Sequence, residues 1–409
     1  MQTTIKNRTI FCRDNLDILK GINTGSIDLV YLDPPFNKKK QFTAPVGSAA
    51  EGASFSDIFR KEDIKDEWLQ SIREDNTPLY NLLKFALESE GQTSYNFCYL
   101  VYMAIRLIEI QRILKETGSV YLHCDPTMSH YLKLAMDCIF GEYNFRNEIV
   151  WGYKWGGTTS KKHFKKKHDI IFRYSKSNVF IFNIDSILIY GEKSGWSDET
   201  RGRIPNDWWY DIPSINTQAK ERVGYPTQKP LALLERIIKA SSNEGDIVLD
   251  PFCGCATACV AAERLNRQWV GIDVSVKAYD LVRQGLKQQV ERKELQGTDV
   301  LFYEELVNFS TEPPVRTDIL NRHGEEKYVY VISHPNYPGE YKVGIAKDWK
   351  SRLNSYQTSD PDRAFTVEFK KQTPQFREIE RYIHEKFDNK HEWVRGELPD
   401  IIHAIETFA

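Results

Sequence analysis

Two short turns hold the residues with the clearest chemical potential. Asp33-Pro34-Pro35-Phe36 follows the apolar run Ile27–Leu32, and the paired prolines forbid further ladder bonding, so a strand stops at a carboxylate. That carboxylate and a proline carbonyl can accept hydrogen bonds from an exocyclic NH2, with the Phe36 ring as a surface on which a base stacks. An amine conjugated to a purine or pyrimidine ring is a poor nucleophile. Accepting its two protons redirects lone-pair density toward an electrophilic methyl group, so transfer can be direct and in line without a covalent enzyme intermediate. The second turn runs from Val248 through Asp250-Pro251-Phe252-Cys253-Gly254 to Thr257, and Asp273 closes the next strand, about 20 residues after Gly254. This is the general form of a nucleotide-ribose site: the glycine lets a ligand approach the backbone, and the acid accepts both ribose hydroxyls. Taken singly, each turn also has a plain reading, as a Pro-Pro strand terminator with a capping Asp and as a tight helix entry.

The elements that must hold these turns follow a strand-helix rhythm. Apolar residues at helical spacing over Asn96–Lys115 precede the strand-like Ser119–His123, then a helix over Ser129–Phe140 and a buried strand over Asn147–Trp151. From about 152 to 223 the pattern becomes irregular, aromatic and basic, as expected of an inserted recognition region. The rhythm resumes with a helix over Leu231–Ala240, a strand over Asp246–Leu249, a helix over Thr257–Leu265 and a strand over Gln268–Asp273. The simplest architecture is an α/β sheet with helices on both faces. Thr43–Ser54, rich in Ala, Gly and Ser, reads as a mobile loop. Residues 1–307 form one expected domain and 308–326, with Pro313-Pro314, a linker; 327–409 form a separate small α+β unit.

Composition excludes several classes. The 409 residues carry 55 Lys+Arg against 57 Asp+Glu, a net charge of -2, with 41% hydrophobic residues, 23 Gly and 17 Pro. That is globular composition and rules out collagen-like, low-complexity and wholly disordered chains. No apolar run approaches the roughly 18 residues that cross a bilayer, and the first residues lack a signal-peptide stretch, so a cytoplasmic protein with no membrane partner is expected. The seven cysteines are an odd, scattered set, and reduced thiols are expected. The net charge gives no global pull toward nucleic acid, so any attraction comes from local runs: Lys38, Lys39 and Lys40 beside the first turn, and Lys161, Lys162, Lys165, Lys166 and Lys167 in the inserted region. For Trp151, Trp155, Trp208 and Trp209 core packing is the first reading and stacking near DNA the second.

Together the two turns resemble the catalytic and S-adenosylmethionine motifs of amino-group DNA methyltransferases. Tyr225-Pro226-Thr227-Gln228-Lys229-Pro230 is similar to the motif preceding the cofactor turn in that family, and Asp14-Asn15-Leu16 and Leu122-His123-Cys124-Asp125 extend the match. The order, catalytic motif first and cofactor motif last, resembles the beta class over about residues 9 to 290. The resemblance implies a doubly wound, Rossmann-like methyltransferase sheet. It places Asp33, Pro34 and Phe36 at the target base with Pro35 shaping the turn. Asp250, Phe252 and Gly254 would line the methionine side of S-adenosylmethionine, Asp273 its ribose, Asp14 and Asn15 its adenine side, and Lys229 the neighbourhood of the pocket. Ala256 departs from the pattern where many relatives have a second glycine, harmless at negative φ and obstructive at positive φ. The implied substrate is double-stranded DNA, with the base extruded and the lysine runs on phosphates. Adenine N6 is the leading target and cytosine N4 the alternative; a cognate restriction endonuclease is a possible partner. Cytosine C5 chemistry, which in its own family uses a Pro-Cys thiolate, has no such dipeptide here. Cys253, Cys255 and Cys259 crowd one turn without a second ligand pair, so no zinc site is expected.

The C-terminal unit resembles the GIY-YIG nuclease superfamily, in a phage-associated branch, over about residues 327 to 395. Tyr328–Ile332 and Tyr341–Ile345 read as two strands, followed by a helix with Arg352 and a later helix with Glu380 and His384. The resemblance would make Tyr330, Tyr341, Arg352 and Glu380 a nuclease site, with Mg2+ on Glu380. The triplets depart from the name-giving pattern, and a DNA-binding module without cleavage remains an open alternative.

Overall fold

The computed structural model describes residues 5–90, 95–153, 162–190, 202–216, 219, 221–291, 307–318, 327–346, 348–390 and 393–408. Two compact units emerge: Met1–Ile64 with Leu82–Arg316, and Lys65–Asn81 with Thr317–Ala409.

In the first unit the chain lays down β1 (Thr9–Cys12), α1 (Asn15–Gly21), β2 (Ile27–Leu32) and the hairpin β3 (Lys40–Thr43) and β4 (Ser54–Asp57). After α2 (Asp66–Asp75) and α3 (Thr77–Glu90) come α4 (Tyr95–Ile113), β5 (Leu114–Cys124), α5 (Ser129–Phe140), β6 (Phe145–Gly152), β7 (His168–Ser175) and β8 (Trp208–Trp209). The unit closes with α6 (Leu231–Ser241), β9 (Ile247–Asp250), α7 (Thr257–Arg264), β10 (Gln268–Asp273), α8 (Lys277–Glu291) and β11 (Asn308–Ser310). Nine strands form one sheet in the order β11-β1-β10-β9-β2-β5-β7-β6-β8. The strands from β11 to β5 are parallel, and β7 then runs antiparallel between β5 and β6.

Every residue of β2 is buried, as a parallel strand covered on both faces requires. Side chains alternate between two helix layers: Leu29, Tyr31, Tyr121, Val248 and Trp269 share a core with residues of α6, α7 and α8, while the alternate residues face the layer in which α4 packs between α1 and α5. Two sequence expectations change. Asn308–Ser310, read as linker, is an edge strand paired with β1. The span read as a loose loop is packed, because Ala44, Ala50 and Ala53 are buried with Leu281 against Tyr225 and Cys255.

The second unit contains α2 and a five-stranded antiparallel sheet, β12 (Lys327–Ser333), β13 (Glu340–Ala346), β14 (Thr366–Thr373), β15 (Asp388–Lys390) and β16 (Trp393–Arg395), in the order β14-β12-β13-β16-β15. Its helices are α9 (Trp349–Ser359), α10 (Phe376–Lys386) and α11 (Leu398–Glu406). One sheet face buries Val329, Val331, Val343 and Ile345 under α10 and α11; the other buries Tyr330, Ile332 and Ala346 with Leu353, Tyr356 and Phe365. Among the described residues no helix is long and apolar enough to cross a membrane, and all seven cysteines are free thiols.

Candidate active site

Strands β9 and β2 are neighbours in the sheet although far apart in sequence, so this is the point where strand order reverses. A crevice opens there outside the carboxyl ends of parallel strands. Asp33 follows the end of β2 and Asp250 ends β9, so the two turns meet. They also touch electrically: Asp33 is among the charges that push the Asp250 carboxyl upward.

The Asp33 turn is clamped from several sides. Lys229, itself buried, donates to both Asp33 carboxylate oxygens at 2.8 and 2.6 Å. The Lys229 strap is tied by Gln228, whose amide accepts from Val223 N at 2.9 Å and donates to the Glu221 carbonyl at 2.7 Å. Beyond Phe36 the chain turns through Asn37 and Lys39, both at φ +58. The buried Asp57 carboxylate accepts from the backbone N–H groups of Asn37 at 2.5 Å and Lys38 at 2.9 Å. Behind the turn, the Phe36 ring stacks on His123 at 5.8 Å. His123 is fully buried; its Nδ1 lies 2.9 Å from the Tyr31 hydroxyl and its Nε2 3.2 Å from Asp169 Oδ2. Burial opposes ionisation of Asp169, but the bond and charge of His123, with Lys229 and Lys38 more weakly, hold its carboxyl below the usual range.

The cradle across the crevice is built from backbone and acids. Gly254 has φ +51, and a Cβ there would come within 2.9 Å of the Tyr225 ring, so only glycine leaves the turn open. Its N–H donates to Asp273 Oδ2 at 2.9 Å, and Ser275 N donates to Oδ1 at 2.8 Å. Burial nevertheless pushes the Asp273 carboxyl up to about 6. Asp250 is also raised well above the ordinary range, by burial first and then by Asp33 and Asp273. A buried and a half-buried acid beside a glycine turn suit a ligand bringing hydroxyl donors and positive charge, and S-adenosylmethionine has both. Asn15 joins the cradle, its amide donating to the Pro251 carbonyl at 2.7 Å. Asp14 caps α1 by accepting from Leu16 N at 2.8 Å. Both are held by Arg106, which is fully buried and donates to Asn15 Oδ1 at 2.6 Å and to both Asp14 oxygens at 2.9 and 2.8 Å. Ala256 adopts φ 58, ψ 31 at the start of α7, so the methyl sits in the left-handed region where it strains the turn.

A family model described as DNA methylase matches residues 27–284. The chain belongs to the DNA methylase family. It is similar to the Type II methyltransferase M.HpaI of Haemophilus parainfluenzae, 29% identical over 282 residues that cover 68% of this chain and 74% of the relative. It is also similar to the DNA adenine methyltransferase YhdJ of Escherichia coli strain K12, 28% identical over 292 residues, 68% and 82% of the two chains. The cytosine-N4-specific PvuII DNA methyltransferase superposes with a TM-score of 0.44 at 14% identity, over 74% of this chain and 94% of that one. Residues 327–409 match a model described as the T5orf172 domain, the family that stands where the sequence resembles GIY-YIG proteins.

In this methylase Asp33, Phe36, Lys229, Asp250 and Asp273 converge at one end of the sheet, and Lys229 lies on the Asp33 carboxylate rather than only near the cradle. Lys38, Lys39 and Lys40 are exposed beside Phe36, with Lys38 Nζ 5.0 Å from its ring centre and 3.8 Å from Asp125. Lys165, Lys166 and Lys167 precede β7, whose antiparallel course brings them to the same sheet end; Lys162 is exposed, and Lys161 and Trp155 lie outside the described residues. Trp151 and Trp209 are core residues, whereas Trp208 is 58% exposed, against the core expectation. Sequence reasoning passed over Arg106, Asp57 and Asp169. An arginine inside the otherwise apolar stretch Phe97–Ile108 was the one available signal for Arg106.

In the second unit Tyr330 and Arg352 come together, with Arg352 Nε donating to the Tyr330 hydroxyl at 3.3 Å and Tyr356 3.0 Å from the same oxygen. Tyr341 does not join them. It packs on the opposite sheet face, the one that α10, bearing Glu380, covers with Phe376, Ile379 and Ile383. Side chains alternate along β13, so Lys342, the neighbour of Tyr341, shares the Tyr330 face, its Nζ 4.2 Å over the Tyr356 ring. Among the described residues no group of three or more His, Cys, Asp or Glu side chains could hold a metal ion.

Proposed function

We propose that this methylase transfers a methyl group to the N6 amine of adenine in double-stranded DNA. S-adenosylmethionine is the donor and supplies an electrophilic methyl on a sulfonium. Gly254 and Phe252 shape its seat, Asp250 and Asp273 accept its donors, and Asp14 and Asn15, braced by Arg106, close the adenine side. The Asp33 carboxylate and the Pro34 carbonyl accept the two protons of the amine, which aims its lone pair outward. Phe36 stacks on the extruded base, and the His123 ring behind it keeps that face in place. Lys229 orients Asp33 and offsets the nearby acids. After transfer the amine holds one proton too many, and Asp33 is the group within reach to take it. Lys38–Lys40 and the 161–167 run contact phosphates.

The observation that carries this reading is the meeting of the Asp33 turn and the Asp250 cradle at adjacent strand ends, with Lys229 between them. Similarity to the DNA adenine methyltransferase YhdJ supports adenine, and cytosine N4 is the alternative that the same turn would serve. Such an enzyme works in the cytoplasm of a bacterium or phage-infected cell, with a cognate restriction endonuclease as a natural partner. The test is tritium transfer from labelled S-adenosylmethionine to unmethylated plasmid DNA, abolished by Asp33→Ala while DNA binding persists. Loss of binding together with activity would instead point to a structural role for Asp33.

For the second unit, the Arg352–Tyr330 contact favours a phosphodiester-binding site without a metal. Arg352→Ala should then weaken duplex binding by the chain, and unchanged binding would exclude this site.

A further inference from the structure

The exposed end of the recognition region holds a feature that the transfer site does not use. Trp208 and Tyr210 stand 58% and 44% exposed with ring centres 5.1 Å apart. Large aromatics are usually buried, and a paired exposed set marks an interaction site. This pair is held out by a rigid frame. Strand β8 pairs with β6, and Val150 N donates to the Asp207 carbonyl at 2.8 Å. The intervening Trp209 is buried, with the Arg236 guanidinium 5.0 Å over its ring and paired with Asp211. Fluctuation therefore does not account for the exposure.

The surroundings say what covers it. The Trp208 indole nitrogen and the carbonyl of Lys167 both lie within 4 Å of where a Cβ on Gly152 would stand, so the pair borders the lysine run 165–167. Phe164, just before that run, is 98% exposed. Arg203, Pro205 and Asn206 line a shallow cleft beside Trp208 and Tyr210, adding a guanidinium and an amide able to read base edges. This surface is at the sheet end that carries Asp33, because β6 and β8 finish where β2 does. From β2 to β8 is four strand spacings, about 19 Å, or roughly five to six base pairs of duplex.

We propose that Trp208 and Tyr210 are a second DNA contact, which stacks on or wedges against bases of the recognition sequence about five to six base pairs from the extruded one. The proposal rests on the DNA methyltransferase reading and adds the specificity surface to it. Aromatic rings supply the apolar contact and the neighbouring lysines neutralise the flanking phosphates, a combination suited to nucleic acid rather than to an apolar protein surface.

The test uses the full chain and a short duplex carrying its mapped target, with 2-aminopurine placed in turn at each flanking position. Trp208→Ala should weaken duplex binding about tenfold, chiefly as a rise in KM for DNA rather than a fall in kcat. It should also abolish the 2-aminopurine quench at one position. Trp208→Phe should restore most of the affinity, and Tyr143→Ala, a still more exposed aromatic before β6, should change nothing. Two results would overturn the proposal: binding and quench in Trp208→Ala equal to the parent, or a sedimentation shift showing that the variant has lost a dimer of this chain instead. A parent protein that moves no methyl group to DNA at all would sink the underlying reading, which separates the two failures.

Discussion

Asp273 gives two opposite pH dependences from one carboxyl. Burial pushes it up to about 6 against an ordinary value of 3.8, a difference of about two units or about 3 kcal/mol. The folded chain therefore holds a proton that the unfolded chain has released between those values. The stability contributed by this group is fully present below the unfolded value and is lost as pH rises through about 6. A ligand whose hydroxyls donate to the carboxylate has the reverse dependence, since it needs the proton gone. Below about 6 its affinity should fall by up to tenfold per pH unit, and above 7 it should level off. The assay is calorimetric titration with S-adenosylmethionine from pH 5 to 8, beside thermal melts of the free protein. Asp273→Asn should bind weakly and should lose the inflection near 6 in both profiles, leaving only the dependence that the raised Asp250 carboxyl contributes. A parent affinity with no inflection near 6, or one that survives Asp273→Asn, would refute the assignment.

Three further expectations concern single side chains. Lys229→Met strips the cation from Asp33 and leaves the neighbouring acids uncompensated, so it should cost about 3 kcal/mol of stability and lower kcat about a hundredfold, read by urea unfolding and single-turnover assays. Gly254→Ala adds a Cβ at positive φ against Tyr225, and a loss of about 2 kcal/mol with at least about tenfold weaker cofactor binding follows. Ala256→Gly removes left-handed strain at φ 58 and should raise the Tm by about 2 °C; an unchanged or lower Tm would mean that the buried methyl contributes more than the strain costs.

Strands β2, β5, β9 and β10 were legible because each reads as a short apolar run, and burial on both faces admits little else at those positions; β1 was not singled out, and β11 is too short and polar to stand out from a linker. Asp33, Asp250 and Asp273 could be picked out since each ends such a run. What joins them could not. Lys229 meets Asp33 across 196 residues and Arg106 meets Asp14 across 92, and no local pattern encodes contacts at that separation. Helix α2 escaped notice because it is short and polar outside Trp68, Leu69 and Ile72, of which it buries Trp68 and Ile72. The hairpin flanking Thr43–Ser54 was hidden by a composition of small residues, which suits a packed loop as well as an open one. In the second unit, motif matching selected Tyr341 where the alternation of β13 turns Lys342 toward Tyr330. The difference is one residue of register, enough to move a side chain to the other face of a sheet.

The central claim is methyl transfer to the adenine amine, and the most direct test is chemical. The chain is expressed in a bacterial host free of methylation, and the DNA is digested to nucleosides and analysed by mass spectrometry beside an Asp33→Ala control. The account predicts N6-methyladenine well above the control. Soluble protein that binds S-adenosylmethionine yet leaves the DNA without any methylated base would contradict it, and N4-methylcytosine alone would overturn the choice of base.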